Sequence, residues 1–214
     1  MSTSPTVGWY ARGYLPHLNT AGLVQGVTFH LVDSLPAGRL RQLLAETSDG
    51  STERRHRLQV MLDAGYGACW LRRPEIAGLV ERALLVNDGI RYRLLAWEVM
   101  PNHVHVLVET VPEVPLSEVV RGWKGATARE ANRLLDRSGA FWERDYFDRY
   151  VRNDAHLAAA VRYIDENPVR AGLVTKPADW PFGSARRIGA DAGAVRRLQP
   201  AIMPTAPNQR HRSR

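Results

Sequence analysis

A single cysteine, Cys69, among 214 residues leaves no partner for an internal disulfide. Although 44% of the chain is hydrophobic, no apolar run approaches the roughly 20 residues that span a bilayer. The start, Met1 to Leu15, lacks a charged segment followed by an apolar h-region. These absences predict a protein of the reducing cytoplasm with no membrane partner. Cys69 lies in Gly67-Ala68-Cys69-Trp70-Leu71, a setting that suits a small buried hydrophobe rather than a nucleophile. No internal repeat is visible, and the length suits one domain with a sizeable core.

Basic charge is in excess. The formal net charge is +7 and the pI about 10.1, which favours a polyanionic partner because clustered Lys and Arg release counterions from phosphate. Part of the excess lies in residues 186–214, rich in Arg, Pro and Ala and without a periodic apolar face. That stretch is expected to be a flexible, basic, disordered tail. Residues 1–13 are expected to be a flexible N-terminal segment, and residues 14–185 the folded domain.

The pattern of elements is mixed. Val24 to Val32 is rich in β-branched and aromatic residues and predicts a strand. Helical spacing follows over Ala37–Thr47 and Ser51–Ala64, and Pro74 suits the first turn of a third helix. Tyr92–Met100 and His103–Glu109 predict an antiparallel hairpin about Pro101-Asn102. A long helix from Pro115 to Leu135 carries Val119, Val120, Trp123, Thr127, Ala131 and Leu134 as its buried stripe. A short strand near Tyr150 and a helix capped by Asp154 and ending near Asn167 complete the series. Antiparallel neighbours with long intervening helices predict an α+β domain, a ferredoxin-like sandwich with helices mainly on one sheet face.

Two local patterns bear on chemistry. In His103-Val104-His105 the alternation of a strand sends both imidazoles to one face. The pair reads equally as two aligned metal ligands or as two half-buried histidines. Tyr163 and Asn167 stand four residues apart and share a helical face; taken alone, they read more readily as a core tyrosine and a helix C-cap.

Met100-Pro101-Asn102-His103-Val104-His105 and Tyr163-Ile164-Asp165-Glu166-Asn167-Pro168-Val169-Arg170-Ala171-Gly172-Leu173-Val174 together resemble the signature of the single-tyrosine HUH, or IS200-like, transposases. Phe141-Trp142, Tyr146-Phe147-Asp148-Arg149-Tyr150 and Trp180-Pro181 extend the likeness toward the transposases associated with repetitive extragenic palindromes (REP). The resemblance covers roughly Tyr14 to Ser184. It implies a ferredoxin-like domain in which His103, His105 and Asn167 bind Mg²⁺ or Mn²⁺ and Tyr163 is the nucleophile. Many insertion-sequence relatives carry glutamine where this chain has Asn167; either amide oxygen suits a hard cation. The implied reaction is cleavage and joining of single-stranded or hairpin DNA through a 5′-phosphotyrosine, by a monomer rather than a dimer, in the bacterial cytoplasm at the nucleoid.

Lys124, Arg121, Arg144, Arg149 and Arg170 are candidate phosphate contacts. Trp123, Trp142 and Tyr146 could stack on bases, with core burial the better reading for each. Glu98 reads as an exposed strand carboxylate or as a partner of the metal or a histidine. His17 and His30 receive no role. The alternatives to a transposase are a DNA-binding protein without cleavage and a hydrolytic metal phosphoesterase with a structural Tyr163.

Overall fold

The structure, a computed structural model, describes residues 8–12, 15–19, 22–48 and 51–190. The expectations for residues 1–7 and for most of the tail, 191–214, lie outside the described residues. A two-stranded ribbon, β1 (Gly8–Arg12) with β2 (Leu15–Asn19), comes first. It precedes the first strand that the sequence pattern marks.

The central sheet contains β3 (Val24–His30), β4 (Tyr92–Val99), β5 (His103–Thr110) and β6 (Phe147–Tyr150), in the order β4-β5-β3-β6. All neighbours are antiparallel. With α3 (Pro74–Leu85) after β3 and α4 (Leu116–Leu134) after β5, the connectivity is the βαββαβ of a ferredoxin-like sandwich. The predicted α+β class and ferredoxin-like architecture are those observed, but helices cover both sheet faces rather than mainly one, because the helix Asp154–Asp165 packs on the face opposite α3 and α4. No helix among the described residues is long and apolar enough to cross a membrane.

Each strand face has its own partner. Val27, Phe29 and Leu31 of β3 and its continuation, with Val104, Val106 and Val108 of β5, face α3 and α4 and form the main core with Ile76, Val80, Val120 and Trp123. Each fully buried side chain of this size contributes about 1.5–3 kcal/mol. Phe141 and Trp142 are buried here, and Trp123 Nε1 donates to the Tyr92 hydroxyl at 2.8 Å while Trp142 Nε1 donates to Thr127 Oγ1 at 2.9 Å. Trp123, Trp142 and Tyr146 are therefore core residues. Of the expected α4 stripe, Leu134 is exposed and the other five are buried, while the neighbouring Leu135 packs against the core.

The opposite face carries Gly26 and Thr28 of β3 with His103, His105 and Leu107 of β5. It is covered by α5 (Asp154–Asp165) through Ile164, Leu157, Ala160 and Val161. Beside α5 stand α1 (Ala37–Glu46) and α2 (Thr52–Asp63), joined by a small core of Leu35, Leu43, Leu58 and Leu62. Arg54 fastens the two helices from within: its Nε donates to Thr47 Oγ1 at 2.9 Å and its guanidinium to the carbonyl of Leu44 at 2.9 Å.

Two helix boundaries differ from expectation. The N-cap of α5 is Asn153, whose side chain accepts from the His156 amide at 2.9 Å; Asp154 is the first helical residue. The chain does not stop at Asn167 either. Asp165 ends α5, Glu166 is the hinge, and Asn167 opens the short helix α6 (Asn167–Arg170) with Pro168 in its first turn, where the missing proline N–H costs nothing.

Gly67 fixes the turn that leads from α2 back to the sheet. Its φ is +84°, and a Cβ there would stand 2.6 Å from the carbonyl oxygen of Asp33, so strain and overlap add. Gly67→Ala is expected to lower stability by about 2 kcal/mol or more, read as a reduced midpoint in urea with an unchanged slope.

Candidate functional site

The site begins with Asn102, in the turn between β4 and β5. Its Nδ2 donates to the carbonyl of Tyr66 at 3.0 Å, which fixes the amide so that Oδ1 faces His103 Nδ1 at 2.8 Å. An oxygen there requires the proton on Nδ1 and leaves His103 Nε2 with a bare lone pair. His105 is oriented by a similar device. Gln59 of α2 donates from Nε2 to Asp63 Oδ1 at 2.6 Å and to His105 Nε2 at 3.2 Å. The remaining nitrogen, His105 Nδ1, lies 2.8 Å from Thr28 Oγ1.

Two unprotonated Nε2 atoms thus face each other at 3.0 Å, and that of His105 also accepts from Gln59. Burial pushes both imidazoles down, His103 well below the usual histidine range and His105 to about 3, so neither takes a proton near neutrality to relieve the opposed lone pairs. A cation between them would. Two ligands at right angles, each about 2.1 Å from an octahedral ion, stand about 3.0 Å apart. Asp63 Oδ1 lies 3.6 Å from His103 Nε2, and ligand atoms of Asp63, His103 and His105 all fall within 4.8 Å of one another. Two imidazoles with a carboxylate form a donor set that fits a divalent ion.

Asp63 and Gln59 are candidate site residues that the sequence reading missed. They sit four residues apart on one face of α2, far from the histidines along the chain, and no local pattern joins them to His103. Asn167, the predicted third ligand, is fully buried, with neither its amide nitrogen nor its amide oxygen hydrogen-bonded. A buried primary amide without partners is costly, which suits a side chain kept for an ion or substrate.

Tyr163 stands on the same face. Its ring centroid is 5.8 Å from that of His105, edge to face, and it is 39% exposed. Arg170 donates to the Tyr163 carbonyl at 2.7 Å and places its guanidinium 4.2 Å from the ring centre. The phenol is pushed up to about 12, by burial first and by the Asp63 carboxylate next, against the opposing effect of Arg170.

The other basic candidates scatter. Arg149 lies on the site side of β6, lining the cavity beside Tyr163. Arg121 and Arg144 are exposed on other surfaces, and Lys124 donates to the carbonyls of Glu143 at 2.6 Å and Arg144 at 2.8 Å, tying down the loop after α4. His30 pairs in register with His103 and stacks on Phe147 at 5.9 Å. Cys69 is buried, and burial pushes its thiol up, as befits an inert position.

Glu98 is not the exposed carboxylate that was one of its two readings. It sits opposite His105 in the β4–β5 register and is fully buried, with neither oxygen hydrogen-bonded. Burial, then the neighbouring Asp165 and Glu81 carboxylates, push it up to about 10. Gly183 packs against it so closely that a Cβ would overlap the carboxyl group.

Residues 81–167 match the family described as "Transposase IS200 like". The chain is similar to the IS200-like transposases. The matched stretch runs from α3 to Asn167, takes in His103, His105 and Tyr163, and leaves out α1 and α2. A putative REP-associated tyrosine transposase of Haemophilus influenzae is 28% identical over 100 residues, 42% of this chain and 56% of that protein. A REP-associated tyrosine transposase of Escherichia coli is 28% identical over 99 residues, 45% of this chain and 56% of that protein. The chain thus matches little more than half the length of either relative. A solved structure of a REP-associated tyrosine transposase bound to a REP hairpin has a TM-score of 0.51 and 21% identity, covering 90% of this chain and 87% of that one; it has the same fold.

Two outcomes are expected from this arrangement. Asn102→Ala frees the His103 ring and should weaken Mn²⁺ binding about 10–100-fold, measured by titration of the purified protein. Glu98 binds a proton in the folded state up to about pH 10 but loses it above the ordinary carboxyl range, about 4.3, when unfolded. Its burial therefore costs progressively more stability as pH rises from about 4.3. Glu98→Gln should melt at a higher temperature than wild type at pH 8, with the gap closing toward pH 4.

Proposed function

We propose that this chain is a DNA strand transferase that cuts and rejoins single-stranded DNA at a hairpin-bearing site, with residues 14–185 as the catalytic unit acting as a monomer. Tyr163 is the nucleophile; His103, His105 and Asn167, with Asp63, hold Mg²⁺ or Mn²⁺. The observation that carries this reading is the convergence of the bare Nε2 pair, the Asp63 carboxylate and the Tyr163 ring on one sheet face. Likeness to tyrosine transposases, one of them solved with a REP hairpin, supports the same substrate class.

An ordinary phenol is ionised about one part in a thousand at pH 7, a deficit of about 4 kcal/mol in available nucleophile. Tyr163 lies higher still, so its ionisation has to be coupled to substrate arrival. When bound, the divalent ion supplies positive charge that favours phenolate over phenol and stabilises charge on the phosphate oxygens. Arg170 adds a fixed cation against the ring. Partial exposure leaves the hydroxyl reachable, while the T-shaped packing on His105 limits ring motion. Tyr163 Oη attacks phosphorus as the bond from phosphorus to the 3′ oxygen breaks; the phenol gives up its proton and the departing 3′ oxygen gains one. The new phosphotyrosine is again a diester, so a 3′ hydroxyl can reverse the step without ATP.

Incubation with a labelled hairpin carrying a single-stranded extension and Mn²⁺ is expected to leave label on the protein in a denaturing gel. Tyr163→Phe should lose that band entirely, and Asp63→Ala should raise the Mn²⁺ needed for half-maximal labelling about tenfold or more. Metal-dependent cutting retained in Tyr163→Phe would overturn the tyrosine mechanism in favour of hydrolysis.

A further inference from the structure

Next to Tyr163 the sheet face opens into a cavity of about 430 Å³, walled by α2 on one side and α5 on the other and floored by β3 and β6. That volume is in the range of small-ligand clefts, roughly 300–1000 Å³. The opening in the floor comes from Gly26. Residues 26, 28 and 30 face this side, and only Gly26 has no side chain to fill it. Its φ is not positive, and the sole neighbour of a Cβ built there is the Arg149 carbonyl oxygen, at 3.8 Å. Glycine here is not demanded by the backbone, so the space is the feature to be explained. Ala160 keeps the α5 wall low, Leu107 makes the floor apolar, and Phe147 offers an aromatic ring.

The rim is cationic. Arg55 of α2, Arg149 of β6 and His156 of α5 all line the cavity, with Asp148 among them. Burial first, and then Arg149 and the nearby Arg152, disfavour the charged forms of both Arg55 and His156. Three arginines, on α2, on β6 and in the segment joining β6 to α5, suit a polyanion. An apolar, partly aromatic hollow inside such a rim suits a flat ring carried on a phosphate chain.

We propose that this cavity binds one unpaired nucleobase of the DNA strand, next to the phosphate that Tyr163 attacks, with Arg55, Arg149 and Arg152 on the flanking phosphates. The proposal rests on the reading of Tyr163 as the nucleophile, because Tyr163 and His105 themselves line the cavity. β3, with Gly26, and α2 lie outside residues 81–167, whereas β5, β6 and α5 bring the rest of the lining from within that matched stretch. The pocket selects which base stands beside the cut and draws the strand taut across the site.

The test scans single abasic sites through the unpaired extension of a hairpin oligonucleotide and measures affinity by fluorescence anisotropy. In the wild-type chain one position should stand out, with Kd raised about tenfold. Gly26→Val fills the floor with a side chain suited to a strand. It should weaken binding of the intact strand by a similar factor and remove the penalty of that abasic site, while affinity for the bare hairpin stem stays unchanged. Ala160→Leu, filling the cavity from α5, should do the same and stands in if Gly26→Val fails to fold. An abasic penalty that persists in both variants, or no position that stands out, would overturn the proposal. The covalent adduct is read in parallel. Adduct without a position-specific penalty sinks the pocket alone; a position-specific penalty without adduct sinks the tyrosine mechanism alone.

Discussion

The opposed lone pairs of His103 and His105 are the constraint on which the rest of the site depends. Two unprotonated nitrogens at 3.0 Å repel in a buried setting, the Gln59 amide offsets this only at His105, and burial disfavours protonation of either ring. The arrangement persists because Asn102, Thr28 and Gln59 each hold one ring nitrogen, and these partners come from a turn, a strand and a helix of distant sequence. Fold stability maintains a local arrangement of unprotonated nitrogens whose donor set fits a divalent cation.

That requirement explains the division of labour between the two sheet faces. Apolar residues facing α3 and α4 supply the cohesion, which leaves the other face free to carry three histidines, an orphaned glutamate and a glycine without weakening the core beyond repair. The α1–α2 unit, lying outside the stretch shared with the IS200-like family, turns this exposed chemistry into an enclosed one. It brings Gln59 and Asp63 over the histidines and forms one wall of the cavity beside Tyr163. Glu98, kept as a neutral acid beneath the site, keeps a negative charge off the strand opposite His105.

Much of this was readable from local pattern. The alternation in His103-Val104-His105 requires both imidazoles on one face once a strand forms, whereas Tyr163 and Asn167, expected on one helical face, lie on successive helices because α5 ends at Asp165 and Asn167 opens α6. The α+β class followed from antiparallel strand neighbours with long helices between them, since few arrangements bury both. Errors at the ends of α5 arose because Asn153 and Asp154 are equally good caps in sequence, and because Pro168 can open a new helix as readily as close an old one. Lys124 looked available for phosphate because its charge is visible in sequence, whereas the carbonyls that occupy it belong to a loop twenty residues on.

The sequence by itself determined the elements, the class of fold and the histidine and tyrosine positions, because these rest on periodicities of two and 3.6 residues that act over short distances. Only the tertiary structure decided that Asp63 and Gln59 meet the histidines, that Glu98 is sealed off, and that Gly26 opens a hollow beside Tyr163. Those facts depend on how far one element slides over another during packing, a quantity set by the fit of many side chains at once and encoded at no single position in the chain.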